Sequence, residues 1–371
     1  MDSPFFFNLQ NLQIRKKTMI YQLATLLDFF GPARLLQSYT VLIGLALFTG
    51  FALTYFLLPK FYNKLPHDRG REFTATAEAA KGKPTGSGIV FITIFVFIVF
   101  LYIPLNWLQI IIIVLTWLTM LTGFLDDNSV NSWGEYRKAI LDLILSVGAS
   151  VALYYGSKNQ AGEVIFWLPF TSKTVVVAPW LYITIGTIMI WASINTTNCT
   201  DGVDGLSSTL VLIGLITLGA IFYFILGHTD IAKYLLVPHL EDGATWAVII
   251  FSLCGVLVGY LWHNAYPSKV LMGDAGSRAL GFFIGVCVIL SGNPFLIFAT
   301  SSIIFINGGM GLLKVALLRF FKIHIFQNIR FPLHDHMRQK RNWSATQVLV
   351  KFMILQILIT VAVVGLMFKV R

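Results

Sequence analysis

A polar segment, Asn195-Thr-Thr-Asn198-Cys-Thr-Asp201-Gly-Val-Asp204-Gly-Leu206, separates two apolar runs that are each long enough to cross a bilayer. Ionisable side chains at membrane depth are costly, so a chain that keeps two carboxylates beside two Asn side chains there is most simply using them. The segment therefore predicts a membrane protein with a functional site at the junction of two spans.

The composition of the whole chain indicates the same class. Of 371 residues, 56% are hydrophobic and 12% are charged, whereas soluble domains are about 45–50% apolar. Continuous apolar runs of about 17–25 residues favour membrane helices over barrel strands. We expect an all-α polytopic membrane protein with about ten transmembrane helices, near residues 38–58, 88–104, 107–125, 139–156, 176–195, 206–227, 244–262, 278–293, 295–318 and 348–368.

Basic residues are concentrated in alternate loops. The loops after the odd-numbered spans hold sixteen Lys and Arg residues, and those after the even-numbered spans hold three. Because positively charged loops stay in the cytoplasm, the odd-numbered loops are predicted to be cytoplasmic and both termini to lie outside. The sixteen are Lys60, Lys64, Arg69, Arg71, Lys81, Lys83, Arg137, Lys138, Lys269, Arg278, Arg319, Lys322, Arg330, Arg338, Lys340 and Arg341, and the three are Lys158, Lys173 and Lys233.

The N-terminal residues do not fit this topology. Arg15, Lys16 and Lys17 would lie outside, and they are followed by Met19. We therefore expect residues 1–18 to be a leader or the product of an alternative start, and residues 19–371 to form a single integral membrane domain. The net charge of +10 would then belong largely to the cytoplasmic surface, where it suits anionic lipid headgroups and phosphorylated substrates.

Five polar motifs all follow odd-numbered spans, and the even-numbered loops hold nothing comparable. This clustering predicts one shared site on the cytoplasmic side. The motifs are Lys81-Gly-Lys83-Pro-Thr85-Gly-Ser-Gly88, Asp126-Asp127, the Asn195–Leu206 segment, His263-Asn264 through Met272-Gly-Asp274-Ala-Gly-Ser277, and Pro332-Leu-His334-Asp335-His336.

Asp126 and Asp127 are predicted to end an apolar helix, where the helix dipole already places negative charge. Two adjacent carboxylates there require positive compensation, and the candidates are Lys138 or a divalent cation. Oxygen ligands beside an anionic substrate favour Mg²⁺, and Asp274 could complete such a site. The alternative is a pair of solvated acids at a helix end.

The remaining motifs each have a simpler alternative. Asp201 and Asp204 would share a helical face if the sixth span began early, although capping of that helix is also possible. His334 and His336 suit phosphate contact or acid–base work, unless they lie in a solvated loop. The Lys81–Gly88 motif lacks the GxxxxGK[ST] arrangement of a Walker loop, and a flexible linker is its alternative.

In this order, the motifs resemble those of the polyprenyl-phosphate N-acetylhexosamine-1-phosphate transferases. Within that superfamily, the Pro332–His336 motif followed by Trp343 is most similar to the bacterial phospho-N-acetylmuramoyl-pentapeptide transferases. The resemblance covers roughly residues 20–370. It implies a Mg²⁺-dependent inner-membrane transferase whose cleft faces the cytoplasm. Such an enzyme moves phospho-MurNAc-pentapeptide from its UDP carrier to undecaprenyl phosphate, giving lipid I and UMP. Relatives also suggest a homodimer, and no nucleic-acid partner is predicted.

The resemblance also implies residue roles. Asp274 would bind Mg²⁺, and Asp126 would contact or deprotonate the lipid phosphate with Asp127 beside it. A further set of residues would line the nucleotide and sugar pocket or approach the phosphates. The pocket residues are Asn198, Asp201, Gly202, Asp204 and Asn264 with contributions from Thr85 and Lys138, and the residues near the phosphates are His334 and His336.

Several positions depart from the family pattern. Asp335 replaces a His, Arg338 replaces a Glu, Leu271 stands where an aromatic residue is common, and Val130 replaces a Lys.

Two other functions remain as alternatives. One is transfer of GlcNAc-1-phosphate to polyprenyl phosphate, and the other is ion-coupled transport, which predicts acids in the middle of spans rather than at their ends.

Overall fold

The computed structural model describes residues 31–70, 81–159 and 161–369. The helices of this part of the chain are α1 Tyr39–Leu57, α2 Gly88–Tyr102, α3 Trp107–Asn128, α4 Glu135–Gly156, α5 Pro179–Thr200, α6 Leu206–Ala220, α7 Thr229–Tyr234, α8 Gly243–Asn264, α9 Gly273–Leu290, α10 Ile297–Thr300, α11 Ser302–Phe321, α12 Leu333–Lys340 and α13 Ala345–Lys369. Short 3₁₀ turns cover Gly31–Gln37, Leu58–Lys64 and Pro294–Leu296.

The predicted polytopic helical fold is confirmed: nine of the ten predicted spans each overlap one helix, and the ninth span overlaps two. Within the described residues, eight helical segments are long and apolar enough to cross a membrane. The other two predicted spans correspond to α2, an apolar helix of 15 residues, and α5, which has 22. The number of spans and the placement of the termini stay predictions. The proposed leader lies outside the described residues.

A small hairpin interrupts the all-helical pattern. Strands β1 (Ile165–Trp167) and β2 (Thr174–Val176) pair antiparallel between α4 and α5, with Ile165 opposite Val176. The sequence analysis did not predict it, because three-residue strands carry too little periodicity to be recognised. The buried Trp167 ring donates from Nε1 to the Ser291 carbonyl at 2.8 Å, so the hairpin covers the C-terminal end of α9.

The ninth predicted span is broken in the structure. Helix α10 ends at Thr300, and α11 begins at Ser302 and contains two π-helical turns. The buried Gln356 of α13 satisfies the interrupted backbone, since its Oε1 accepts the Ile303 N–H and its Nε2 donates to the Ala299 carbonyl, both at 2.9 Å.

Helix α9 lies at the centre of the molecule, and all 18 of its residues are buried. It begins at Gly273, five residues before the predicted span. Glycines allow α9 to approach its neighbours closely: a Cβ added at Gly123 of α3 would lie 2.6 Å from the Ala275 amide nitrogen. The first turn of α9, which contains Asp274, is therefore fixed against the end of α3.

Candidate active site

Asp127 joins the end of α3 to the beginning of α9. Its Oδ1 accepts the backbone N–H of Asp274, and its Oδ2 accepts that of Ala275, both at 3.0 Å. These two amides are among the four that a helix N-terminus leaves without an intrahelical partner, and the helix dipole favours negative charge there. Asp127 thus ends one helix and caps another, and the Asp127 carboxylate positions the backbone of Asp274.

Lys138 of α4 lies between two carboxylates. Its Nζ pairs with Asp126 Oδ2 and lies 3.0 Å from Asp274 Oδ2. Asp126 and Asp274 are 6% and 5% exposed, whereas Lys138 is half-buried. The other carboxylate oxygen of Asp126, Oδ1, accepts the Trp133 N–H at 2.6 Å. The sequence left Lys138 or a divalent cation as the positive charge that balances these carboxylates. The structure shows Lys138 in that role for Asp126.

Asn198, in the last turn of α5, holds the other side of Asp274. Its Nδ2 donates to Asp274 Oδ1 at 2.9 Å and to Ser277 Oγ at 3.0 Å. Both oxygens of Asp274 therefore have partners, one from α4 and one from α5, and the carboxylate is fixed in direction.

The donor set suits a divalent cation with few protein ligands. Across the described ranges, no three His, Cys, Asp or Glu side chains are grouped so that they could hold a metal ion. Mg²⁺, however, is usually bound by one or two carboxylates, with water and substrate phosphates supplying the other ligands. One oxygen of Asp126 and one of Asp274 face the same position, which could accept a cation. In the structure the Lys138 ammonium lies between these two oxygens. The residues present fit such a site, and Mg²⁺ binding stays a prediction.

The segment between α5 and α6 is a turn rather than an early helix start. Helix α6 begins at Leu206 after Gly205, which has φ +75°, so Asp201 and Asp204 do not share a helical face. Asp204 does not cap α6 either. Its Oδ2 accepts the Ser268 N–H at 2.9 Å and lies 3.8 Å from Lys83 Nζ. The Asp204 carboxylate therefore connects this turn to the α8–α9 loop and to the Lys81–Gly88 motif.

Asn264 reinforces the same junction. Its Oδ1 accepts the Gly205 N–H and its Nδ2 donates to the Val270 carbonyl, both at 2.9 Å. Because one buried amide satisfies backbone groups from two loops, Asn264 fixes the distance between them.

The Lys81–Gly88 motif is packed rather than a flexible linker. Its Pro84 carbonyl accepts the Leu271 N–H at 2.8 Å, and Ser87 Oγ donates to the Leu271 carbonyl at 2.9 Å. Thr85 is buried, with its N–H bonded to the Pro66 carbonyl at 2.8 Å. Gly86 has φ +69°, and a Cβ there would lie 3.3 Å from Asp127 Oδ2. The motif therefore lies directly against the Asp127 carboxylate.

His334 lies in helix α12, where the sequence left a solvated loop as the alternative. It is 2% exposed. Asn307 Oδ1 accepts its backbone N–H at 2.8 Å and lies 3.1 Å from its Nδ1. Since that oxygen can only accept, Nδ1 carries the ring proton. A Cβ added at Gly202 would clash with His334 Nε2, so the α5–α6 turn and α12 touch directly.

The environment of His334 keeps its imidazole neutral at pH 7. Burial, with a smaller contribution from the positive charge of Arg338, lowers the pKa of His334 to about 4. Asp335 Oδ1 lies 3.8 Å from Nε2, which is too long for a hydrogen bond. His336 is more exposed, and its Nδ1 accepts the Arg330 N–H at 3.2 Å. The contacts described join His334, and not His336, to the α5–α6 turn.

Comparison with known proteins assigns this chain to a family. The model of glycosyl transferase family 4 matches residues 109–292. A phospho-N-acetylmuramoyl-pentapeptide-transferase of Treponema pallidum (strain Nichols) is 54% identical over 353 residues, covering 95% of this chain and 97% of the relative. The chain belongs to the phospho-N-acetylmuramoyl-pentapeptide transferase family. Enzymes of the same name from Helicobacter pylori (strain J99) and Campylobacter hominis are 32% and 31% identical, each covering 92% of this chain and 97% of the relative.

Family membership confirms the resemblance drawn from the motifs. The several apolar helices and the relatives' names fit a multi-pass protein of the bacterial inner membrane. In the structure, all five polar motifs meet in one network of contacts around Asp274 and the α5–α6 turn. Within this network, the carboxylates of Asp126 and Asp274 face one position, where the Lys138 ammonium lies.

Sequence reasoning missed two charged residues of this region. Asp142 was not singled out, and Arg278 was counted with the basic cytoplasmic loops. The structure corrects that count: Arg278 is 2% exposed within α9 and pairs with Asp142 of α4. The available signal was spacing, because Lys138 and Asp142, like Asp274 and Arg278, are four residues apart with opposite charge.

Proposed function

We propose that this chain transfers phospho-MurNAc-pentapeptide from UDP-MurNAc-pentapeptide to undecaprenyl phosphate, forming lipid I and UMP in a Mg²⁺-dependent reaction. The observation that carries the proposal is the 54% identity, over 95% of the chain, to a relative named for this activity. The convergence of Asp126, Lys138 and Asn198 on Asp274 supports it, because the motifs of the resemblance meet in space.

The reaction joins two anionic substrates. An oxygen of the lipid phosphate attacks the β-phosphorus of the UDP-sugar. The new P–O bond forms as the bond to the bridging pyrophosphate oxygen breaks, and UMP leaves with that bond's electron pair. A phosphate monoester has a second pKa of about 6, so most of the attacking phosphate is already a dianion at pH 7. The main demand on the protein is therefore positioning and charge neutralisation.

Mg²⁺, when bound, would neutralise phosphate charge and stabilise the developing charge on the leaving group. Asp274 would hold it, and Asp126 is the second carboxylate in reach of the same cation position. Lys138 would supply a fixed positive charge beside the phosphates, because its half-buried ammonium is held between two carboxylates.

The remaining residues would orient the substrates. Asp127 keeps Asp274 in place through the α9 backbone. His334 offers a neutral ring whose Nδ1 proton is directed to Asn307, so it suits accepting a hydrogen bond at Nε2 rather than carrying positive charge. The other predicted pocket residues are Thr85, Asn198, Asp201, Gly202, Asp204 and Asn264, with His336 near the phosphates.

We also propose that the site faces the cytoplasm, since the basic residues are concentrated in the loops that carry it. The lipid chain would then enter from the bilayer and the nucleotide from water. A homodimer is part of this proposal as well, on the resemblance alone.

The decisive experiment is UMP release by the purified full-length protein with undecaprenyl phosphate, UDP-MurNAc-pentapeptide and Mg²⁺. We expect release that EDTA abolishes and added Mg²⁺ restores, and that Asp274→Asn lowers by at least about a hundredfold. Parallel reactions with UDP-GlcNAc distinguish the rival substrate. Turnover of UDP-GlcNAc in place of UDP-MurNAc-pentapeptide, or an Asp274→Asn variant as active as the unmodified protein, would contradict the proposal.

A further inference from the structure

A second ion pair joins the two helices that carry Lys138 and Asp274. Arg278 of α9 donates from Nε and Nη2 to Asp142 Oδ1 of α4, at 3.2 and 2.5 Å. The two residues are 2% and 1% exposed. The third guanidinium nitrogen, Arg278 Nη1, is also buried and has no hydrogen-bond partner within the described part of the chain.

The two ion pairs are in register. Asp142 follows Lys138 by four residues in α4, and Arg278 follows Asp274 by four residues in α9, so each lies one turn along the same helical face. Charges alternate along each helix and across the interface. Lys138 therefore has Asp142 one turn away on its own helix and Asp274 across the interface. Asp274 likewise has Arg278 one turn away on its own helix and Lys138 across the interface.

Stability alone does not account for the deeper pair. Removing two charges from water costs several kcal/mol for each ion, and replacing a buried pair with apolar residues of similar volume is often neutral or stabilising. Ionisable groups inside membrane helices are correspondingly rare and are typically functional. A guanidinium with one unsatisfied nitrogen is an especially poor choice for packing. These costs indicate that the pair contributes to something other than the folded state's stability.

We propose that Asp142 and Arg278 form a positioning pair for the transfer reaction, holding α4 and α9 in the register that places Lys138 between Asp126 and Asp274. The inference rests on the proposed function. Both residues are buried and paired with each other, one helical turn from Lys138 and Asp274. Their effect passes through Lys138 and Asp274, whose charges they stabilise from one turn deeper in the protein.

The experiment compares three variants of the full-length protein in detergent or nanodiscs. Asp142→Leu with Arg278→Leu removes both charges without leaving one unpaired. Asp142→Arg with Arg278→Asp keeps a cross-helix pair but places like charges four residues apart on each helix. Ser146→Ala is the matched control, because Ser146 is buried one turn further along α4 and its hydroxyl donates to the backbone carbonyl of Asp142, at 2.7 Å, rather than to either charged side chain. The melting temperature, kcat and KM for both substrates are measured for each.

We expect the apolar double variant to have the melting temperature of the unmodified protein and KM values within about twofold of it. Its kcat should fall about ten- to hundredfold, because the catalytic groups are misplaced. The exchanged pair should lose at least as much kcat, and Ser146→Ala should match the unmodified protein. A fourth variant, Arg278→Lys, keeps the charge at this position and should retain most of the kcat of the unmodified protein.

Two results overturn the inference. One is a folded apolar double variant with unmodified kcat. The other is a double variant that melts earlier but, per folded molecule, turns over as fast as the unmodified protein, which shows a structural role. An unmodified protein that transfers no phospho-sugar refutes the proposed function itself and the positioning role with it.

Discussion

Substitution of Asp127 tests whether this carboxylate acts through the α9 backbone rather than on the substrate. Asp127→Ala removes both acceptors of the Asp274 and Ala275 amides. Asp127→Asn keeps one oxygen acceptor and loses the negative charge. The two variants therefore separate capping from chemistry.

The expected loss of local stability follows from the two hydrogen bonds that the Asp127 carboxylate accepts. Loss of a helix N-cap acceptor costs about 0.5–2 kcal/mol, and loss of a charge at a helix N-terminus costs about 0.3–1 kcal/mol more. For Asp127→Ala, with two amides left unpaired in a largely buried site, we expect about 2 kcal/mol. At about 1.4 kcal/mol for each factor of ten, the first turn of α9 should open about thirtyfold more often. Asp127→Asn should cost about half as much free energy.

Hydrogen exchange measured by mass spectrometry reports this opening directly, in a peptide that contains Gly273–Ser277. UMP release should fall in the same order, least for Asp127→Asn and most for Asp127→Ala, because Asp274 loses its position. Asp242→Ala is the control at another helix start: Asp242 precedes α8 and makes no side-chain cap bond there, its Oδ2 accepting instead from Asn106 Nδ2, so exchange in the first turn of α8 should not change. Unchanged exchange near Asp274 in Asp127→Ala, or full inactivation by Asp127→Asn with normal exchange, would refute the capping role.

Three further predictions concern packing, pH and metal. Gly123→Ala should lower UMP release at least about tenfold, because its methyl group would meet the α9 backbone, whereas Gly148→Ala, whose methyl would lie 3.9 Å from Leu115, should be silent in the same assay. The folded protein keeps His334 neutral down to a pKa of about 4, while the unfolded chain binds that proton below its ordinary value of 6.5. Stability should therefore fall by up to about 3 kcal/mol as pH drops from 6.5 to 4, and His334→Gln should remove this part of the pH dependence of thermal unfolding. Calorimetric titration with Mg²⁺ should show binding that Asp274→Asn weakens at least about tenfold, and equal affinity in both proteins would exclude Asp274 as the ligand.

The sequence by itself determined the class, the helical spans and the family. Span prediction depends on the length of apolar runs, which is a local property, and nine of the ten predicted spans each overlap one helix. The five motifs were recognised because their residue types and order are also local. Their meeting was also predicted, because the distribution of basic residues predicts that all five motifs lie on one side of the membrane.

Only the tertiary structure decided what each charged group does. Asp126 and Asp127 are adjacent in sequence, yet one pairs with Lys138 and the other caps α9. Arg278 was predicted to be a surface charge and is buried against Asp142. The partner of a carboxylate depends on which helix packs against it, and helix packing is decided by long-range contacts such as those between α3 and α9. A one-dimensional pattern gives the spacing of charges along a helix, but the neighbouring helix determines which of them meet.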